Sequence, residues 1–127
     1  MIKEYKTHWS IPENIGYFIS SNEKGYSRNQ YKYANFSFNV GDKENAVESN
    51  INDLKNLYSI NNIAFMNQLH TNKTRELIYY KNYTNTDGIF TRNKKIACAV
   101  LTADCIPLLI TDRLGSFIGC IHAGWRG

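Results

Sequence analysis

Three cysteines and three histidines are the residues of this 127-residue chain best suited to metal or nucleophile chemistry. Cys105 stands between Asp104 and an apolar run, and His122 closes another. Between them, Asp112-Arg113-Leu114-Gly115 has the Asp-first, Gly-fourth pattern of a type I turn. That turn predicts a hairpin of residues 105–110 and 116–121, centred between Arg113 and Leu114. In such a hairpin Cys105 and His122 are direct cross-strand neighbours, with Cβ atoms about 5 Å apart. Pro107 weakens the register, because it cannot donate to a ladder and favours edges or bulges. A thiolate beside an imidazole serves either as two ligands of a zinc ion or as a nucleophile with its base. A catalytic zinc typically takes three protein ligands and keeps a fourth position open. His70, which ends an apolar segment next to the polar Asn67 and Gln68, is the candidate for the third.

Each of these residues also has a plain structural role open to it. Cys105 can be a small buried hydrophobe, His122 a core histidine bonded to a carbonyl, Asp104 a strand-end residue bonding local amides, and Asp87-Gly88 simply a turn. Cys98 and Cys120 are flanked by apolar residues, which predicts packing. His8, beside Trp9, has no clustered partners, and the tyrosine-rich stretches 26–33 and 79–83 read as strand surface. No G-x-G-x-x-G loop is present.

These residues must be positioned by a mixed set of elements. Residues 15–20 read as a strand, followed by a polar loop that turns at Gly25, and 34–40 as a second extended segment. Asp42 is the expected N-cap of a helix over 42–58, because Val47, Ile51, Leu54 and Tyr58 form an apolar stripe at helical spacing. Segments 63–69 and 75–80 are expected strands with a turn at 71–73, and 96–101, 105–110 and 116–121 complete the set. The fold class is therefore α+β. The run from Ile96 to Ile110 is apolar on both faces, as in a central strand covered from both sides, and only one helix is available to cover it. An exposed sheet face and self-association through it follow as expectations.

Composition removes several function classes. With 43% apolar, 13% aromatic and 20% charged residues, the chain has the makings of one globular domain rather than a disordered segment. The net charge of +4 lies outside the informative end: residues 96–127 hold two bases and two acids. Sixteen asparagines and ten lysines reflect a compositional bias that needs no anionic partner, so nucleic acid is not expected. The most apolar segment is interrupted by Thr102, Asp104 and Pro107 and is too short and polar to span a membrane. The first residues lack the basic-then-apolar order of a signal peptide, and an odd number of cysteines argues against a disulfide framework. Both place the chain in the cytoplasm.

Longer strings add what spacing alone cannot. Thr102-Ala103-Asp104-Cys105-Ile106-Pro107 and His122-Ala123-Gly124-Trp125-Arg126-Gly127 resemble the YfiH-type family, once labelled multicopper polyphenol oxidase (laccase-like) and now regarded as purine nucleoside phosphorylases. Gly25-Tyr26-Ser27, Asn35, Val40-Gly41-Asp42, Asn50, Gln68-Leu69-His70 and Asp87-Gly88-Ile89-Phe90-Thr91 follow in family order. The resemblance implies mixed β-sheet layers flanked by helices, of which residues 1–127 look like the N-terminal portion, stopping after the last motif. It implies a zinc site made by His70, Cys105 and His122. Zinc suits these donors better than copper, since three ligands without a His-rich motif cannot build a multicopper cluster. The implied activity is phosphorolysis of adenosine, inosine and, as a further candidate, methylthioadenosine, with associated adenosine deamination by water activated at the metal. Cys105, His122 and Asp104 are then the catalytic candidates, with Asp104 moving a proton. Asn35, Gln68 and Arg126 are the substrate-binding candidates, with Arg126 on phosphate. Three positions depart from the family pattern: Asn22 replaces an arginine, Thr71 a glycine, and Ile51 a basic residue. The alternatives are a cysteine hydrolase using Cys105 and His122, and a non-catalytic zinc-binding remnant.

Overall fold

The computed structural model describes residues 1–127. They form two compact units, Met1–Ser10 with Gly16–Asn61, and Ile11–Ile15 with Asn62–Gly127.

The first unit holds the only α-helix, α1 (Glu44–Tyr58). Val47 and Ile51 of the predicted stripe are buried along it. Asp42 does not cap the helix. Lys43 occupies that position without a side-chain bond, while Asp42 accepts the Lys43 N–H at 2.8 Å and the Asn35 amide at 3.1 Å. The expected strand at 15–20 is reduced to one antiparallel bridge, Glu4 with Ser20, flanked by Tyr5 N–H to the Ile19 carbonyl (2.7 Å) and Ser21 N–H to that of Lys3 (2.7 Å). The expected extended segment at 34–40 closes instead as a 3₁₀ turn, Phe38–Val40. The polar loop is organised by Asn50, which is fully buried on α1. Its carbonyl accepts from Tyr26 N–H (2.8 Å), and its amide donates to Ser27 Oγ (3.0 Å) and the Asn35 carbonyl (2.8 Å). Gly25 is needed there for close approach, since a Cβ would lie 2.2 Å from the Tyr33 carbonyl oxygen and 2.7 Å from Asn50 Oδ1.

The second unit contains all eight strands: β1 (Ile63–Ala64), β2 (Met66–Asn67), β3 (Thr74–Glu76), β4 (Thr84–Asn85), β5 (Gly88–Thr91), β6 (Ala97–Cys98), β7 (Ile106–Thr111) and β8 (Ile118–Ala123). The expected strand at 63–69 is broken at Phe65, whose N–H goes to Asn82 Oδ1 at 2.9 Å. Its two pieces pair in parallel with later segments, β1 with β6 and β2 with β4. Across the 71–73 turn, β3 likewise turns away from its chain neighbour and pairs in parallel with β5. The main sheet has the order β3-β5-β8-β7, antiparallel from β5 onward. Mixed sheets with one α-helix make the chain α+β.

The predicted hairpin is β7–β8, with a different register. The turn closes as expected, Gly115 N–H to the Asp112 carbonyl at 3.1 Å. Gly115, at φ 62°, then sends the chain through Ser116 and Phe117 before pairing begins at Thr111 and Ile118. Pro107 therefore faces His122, and Cys105 lies diagonal to His122 rather than opposite it. A two-residue slip preserves the face on which each side chain lies, so the two remain on one side of the sheet. Pro107 needs no bulge because β7 is an edge strand.

That edge position corrects the expectation of a covered central strand. Ile106, Leu108, Leu109 and Ile110 are between 39 and 63% exposed. The pairing puts Ile89, Cys120 and His122 on one face of the sheet, and Phe90, Ile121, Leu108 and Ile110 on the other. The first face joins the core of Ala64, Met66, Leu77, Ile89, Ile96 and Cys120, against which Cys98 and Val100 pack. Cys98 and Cys120 thus have the packing role their apolar flanks predict. The neighbouring Cys98 thiol, together with burial, pushes the Cys120 thiol far above the ordinary thiol range.

Candidate metal centre

The site is assembled in the second unit from three short stretches around one buried carboxylate. Asp87, just before β5, is 1% exposed. Leu69, His70 and Thr71 donate their N–H groups to it at 3.1, 3.0 and 2.9 Å, and Thr71 Oγ1 donates at 2.9 Å. Its second oxygen lies 2.8 Å from His122 Nδ1. Its main-chain carbonyl accepts the His122 N–H at 2.7 Å. Burial works to raise this carboxyl, but the hydrogen bonds from His122, Thr71 and Leu69 outweigh it and hold Asp87 well below the ordinary carboxylate range. The cradle also accounts for the backbone of His70, a non-glycine residue in the left-handed region at φ 58°. Such a conformation costs about 1–3 kcal/mol and persists where its surroundings over-determine it.

Three donor side chains converge beside this carboxylate. His70 is exposed on its loop, Cys105 is half-buried just before β7, and His122 is buried on β8. One ligand atom from each lies within 4.8 Å of the others, and the two imidazole rings meet edge to face at 4.7 Å between centroids. Ligand atoms on a tetrahedral zinc are separated by about 3.5 Å, so closing onto an ion needs side-chain shifts on the order of an ångström. The space they enclose is kept open by Gly124. A Cβ there would stand 2.9 Å from His70 Cδ2, 3.6 Å from His122 Cε1 and 3.7 Å from Cys105 Sγ. Two imidazoles and one thiol around a space that a methyl would fill fit a single ion with one coordination position left for a further ligand.

Each of the other sequence-predicted residues has its own set of contacts. Asp104 is exposed, with Oδ1 3.9 Å from Cys105 Sγ. Gln68 uses both ends of its amide on the backbone of Leu101, donating to its carbonyl at 2.6 Å and accepting its N–H at 2.8 Å. It thereby ties the loop of His70 to the segment leading into Cys105. The exposed Arg126 guanidinium stacks over Trp125, 4.6 Å from the ring centroid. Asn35 belongs to the first unit, where its amide holds Asp42 and Ser37. Two residues essential to the geometry escaped the reading by spacing: Asp87, which passed for a turn residue, and Gly124. Their only signal was membership of the D-G-I-F-T and H-A-G-W-R-G blocks.

Residues 16–127 match the family model described as multi-copper polyphenol oxidoreductase laccase, and the chain belongs to that family. A purine nucleoside phosphorylase of Haemophilus influenzae is 33% identical over 121 residues, covering 94% of this chain and 50% of that protein. YlmD of Bacillus subtilis, also named a purine nucleoside phosphorylase, is 29% identical over 140 residues, covering 100% of this chain and 50% of its own. Among solved structures, a Neisseria meningitidis protein superposes with a TM-score of 0.87 at 30% identity, over 99% of this chain and 51% of that one. YlmD from Geobacillus stearothermophilus shares the fold at a TM-score of 0.80 and 21% identity, over 87% and 45%. The chain spans about half the length of the curated relatives it matches.

Proposed function

We propose that this chain carries the metal-holding part of a purine nucleoside phosphorylase, acting on adenosine and inosine, with methylthioadenosine as a further candidate. The observation that carries the reading is the convergence of His70, Cys105 and His122 on the space left by Gly124. The names of the relatives support the reaction class. In phosphorolysis the bond from C1′ to the purine nitrogen breaks, a phosphate oxygen bonds to C1′, and the departing base gains a proton. Zinc, the metal we assign, would supply Lewis-acid polarisation and water activated at neutral pH, the latter serving adenosine deamination. We assign phosphate contact to the exposed Arg126, whose guanidinium offers paired N–H donors, and proton transfer to the departing base to Asp104, exposed beside Cys105. Gln68 and Asn35 hold the loops they bond, and we keep both as substrate-binding candidates.

Among the helices, none is long and apolar enough to cross a membrane. We place the activity in the cytoplasm, and propose that the open apolar face of the main sheet mediates self-association. The test of function is metal content of the purified chain, measured together with release of hypoxanthine or adenine from inosine or adenosine in phosphate buffer. Release that requires phosphate and stops with a chelator supports the reading. Metal-free protein with no turnover rejects it.

A second reading has one observation in its favour. Cys105, His122 and Asp87 also stand in the order nucleophile, base and orienting carboxylate. A cysteine hydrolase built on them does not need His70, retains activity in chelator and loses it on thiol alkylation.

A further inference from the structure

Asp87 bonds to the supports of two donors at once, and this relationship goes beyond the assignment of the three ligands while resting on the metal reading. We propose that Asp87 is a positioning residue that presets both His70 and His122 for the ion, holding His122 in the tautomer protonated at Nδ1 so that Nε2 is left for the metal.

Four donors other than His122 reach Asp87: the N–H groups of Leu69, His70 and Thr71, and the Thr71 hydroxyl. The three N–H groups can only donate, so the carboxyl group must accept, and an ionised carboxylate is an acceptor at both oxygens. A proton on Asp87 could go only to the Thr71 hydroxyl or to His122 Nδ1, and three backbone N–H donors on the carboxyl group favour its ionised form. Facing such an acceptor at 2.8 Å, His122 Nδ1 must carry its hydrogen. The opposite tautomer sets the Nδ1 lone pair against the carboxylate. With Nδ1 protonated, the neutral ring has its only lone pair on Nε2. The backbone of His122 is anchored to the same residue through the Asp87 carbonyl, at 2.7 Å, so the ring's origin and its rotation are both set from one position. On the opposite side, the same carboxylate gathers three successive N–H groups, keeping His70 in its left-handed conformation and turning its side chain toward His122. Removing the charge disturbs two ligands from one site. An ordinary second partner of a metal-bound histidine orients only one.

Two measurements test this. In the metal-free chain, long-range ¹H–¹⁵N correlations of His122 are expected to show a pyrrole-type Nδ1 and a pyridine-type Nε2. The reverse pattern overturns the proposal without any substitution, and so does not depend on a variant's folding. In Asp87→Asn, zinc affinity from competition with a chromophoric chelator is expected to fall 10- to 100-fold, the range typical of such partners, and the His122 nitrogens to lose their single-tautomer pattern. If the unsubstituted chain binds zinc and Asp87→Asn binds it equally, the assignment of Asp87 is wrong. If the unsubstituted chain takes up no zinc at all, the metal reading itself falls.

Discussion

Gly124 and His70 are so close that a Cβ on Gly124 would stand 2.9 Å from the His70 ring. Real Cβ contacts almost never come that near, so Gly124→Ala must displace the imidazole. The His70 backbone is pinned by Asp87, so the ring has to rotate away from its partners. Zinc affinity should drop roughly tenfold, as for other changes that misorient a ligand. Thermal stability should change little, because His70 is exposed and Gly124 follows the last strand. Chelator competition and a melting curve on the same sample check both halves, and unchanged affinity would remove Gly124 from the site.

The cysteines should separate by role. Cys105→Ser replaces a proposed thiolate ligand at a half-buried position, so it should lose metal affinity with little effect on folding. Cys120→Ser puts a hydroxyl into the apolar core, next to Cys98, and should cost about 1–3 kcal/mol of stability while sparing metal binding. Equal metal loss in the two variants would reject Cys105 as a ligand.

Much of the site was legible because it depends on face rather than on exact pairing. The Asp112–Gly115 turn announced the hairpin, and even with the register off by two residues Cys105 and His122 stayed on one side. The stripe of Val47 and Ile51 announced α1, because helical spacing is a local property. What stayed hidden is non-local. The parallel partners β1–β6, β2–β4 and β3–β5 are joined through intervening loops, and no short-range pattern encodes them. Asp87 looked like a turn residue because its neighbour is glycine. The five donors to its carboxylate come from residues 16 to 35 positions away.

Asn50 should matter to the first unit as much as any apolar residue. It is fully buried, and its removal leaves Tyr26 N–H, Ser27 Oγ and the Asn35 carbonyl without their partner. Buried groups left unsatisfied cost about 1–3 kcal/mol each where water cannot replace the bond. Asn50→Ala is expected to lower the denaturation midpoint by at least the equivalent of one such loss, and a variant as stable as the parent would show that water fills the gap.

Acid should weaken the β7–β8 loop in a defined direction. The Ser116 hydroxyl and N–H both donate to Asp112, and these bonds hold its carboxyl below the ordinary range. A carboxyl lowered in the folded state contributes stability that is present above its unfolded value of about 3.9 and is lost as pH falls through the folded one. Asp112→Asn should therefore flatten the fall in stability on going from pH 5 toward pH 3, while the parent shows the steeper decline. Parallel denaturation curves for the two proteins across that window would contradict the assignment.

The last expectation concerns the open face of the main sheet. Antiparallel strands with one solvated face ordinarily alternate apolar and polar residues. Here Leu108 and Ile110 on β7 are exposed, Phe90 and Ile121 share their face, and Leu109 on the other side is exposed as well. A shallow apolar groove of about 130 Å³ runs between Ile110, Phe90, Phe117 and Ile121, over the backbone of Gly88 and Gly119. We propose that this apolar face is an interaction surface. A second copy of the chain brings the same apolar patch and can meet it about a two-fold axis, each β7 lying against the partner's groove. Sedimentation velocity at tens of micromolar should show a dimer that dissociates on dilution, and Ile110→Lys should shift it to monomer, because a cation buried at such a contact is unpaired. A parent chain that sediments as a compact monomer throughout, with Ile110→Lys no different, would mean that this face stays solvated.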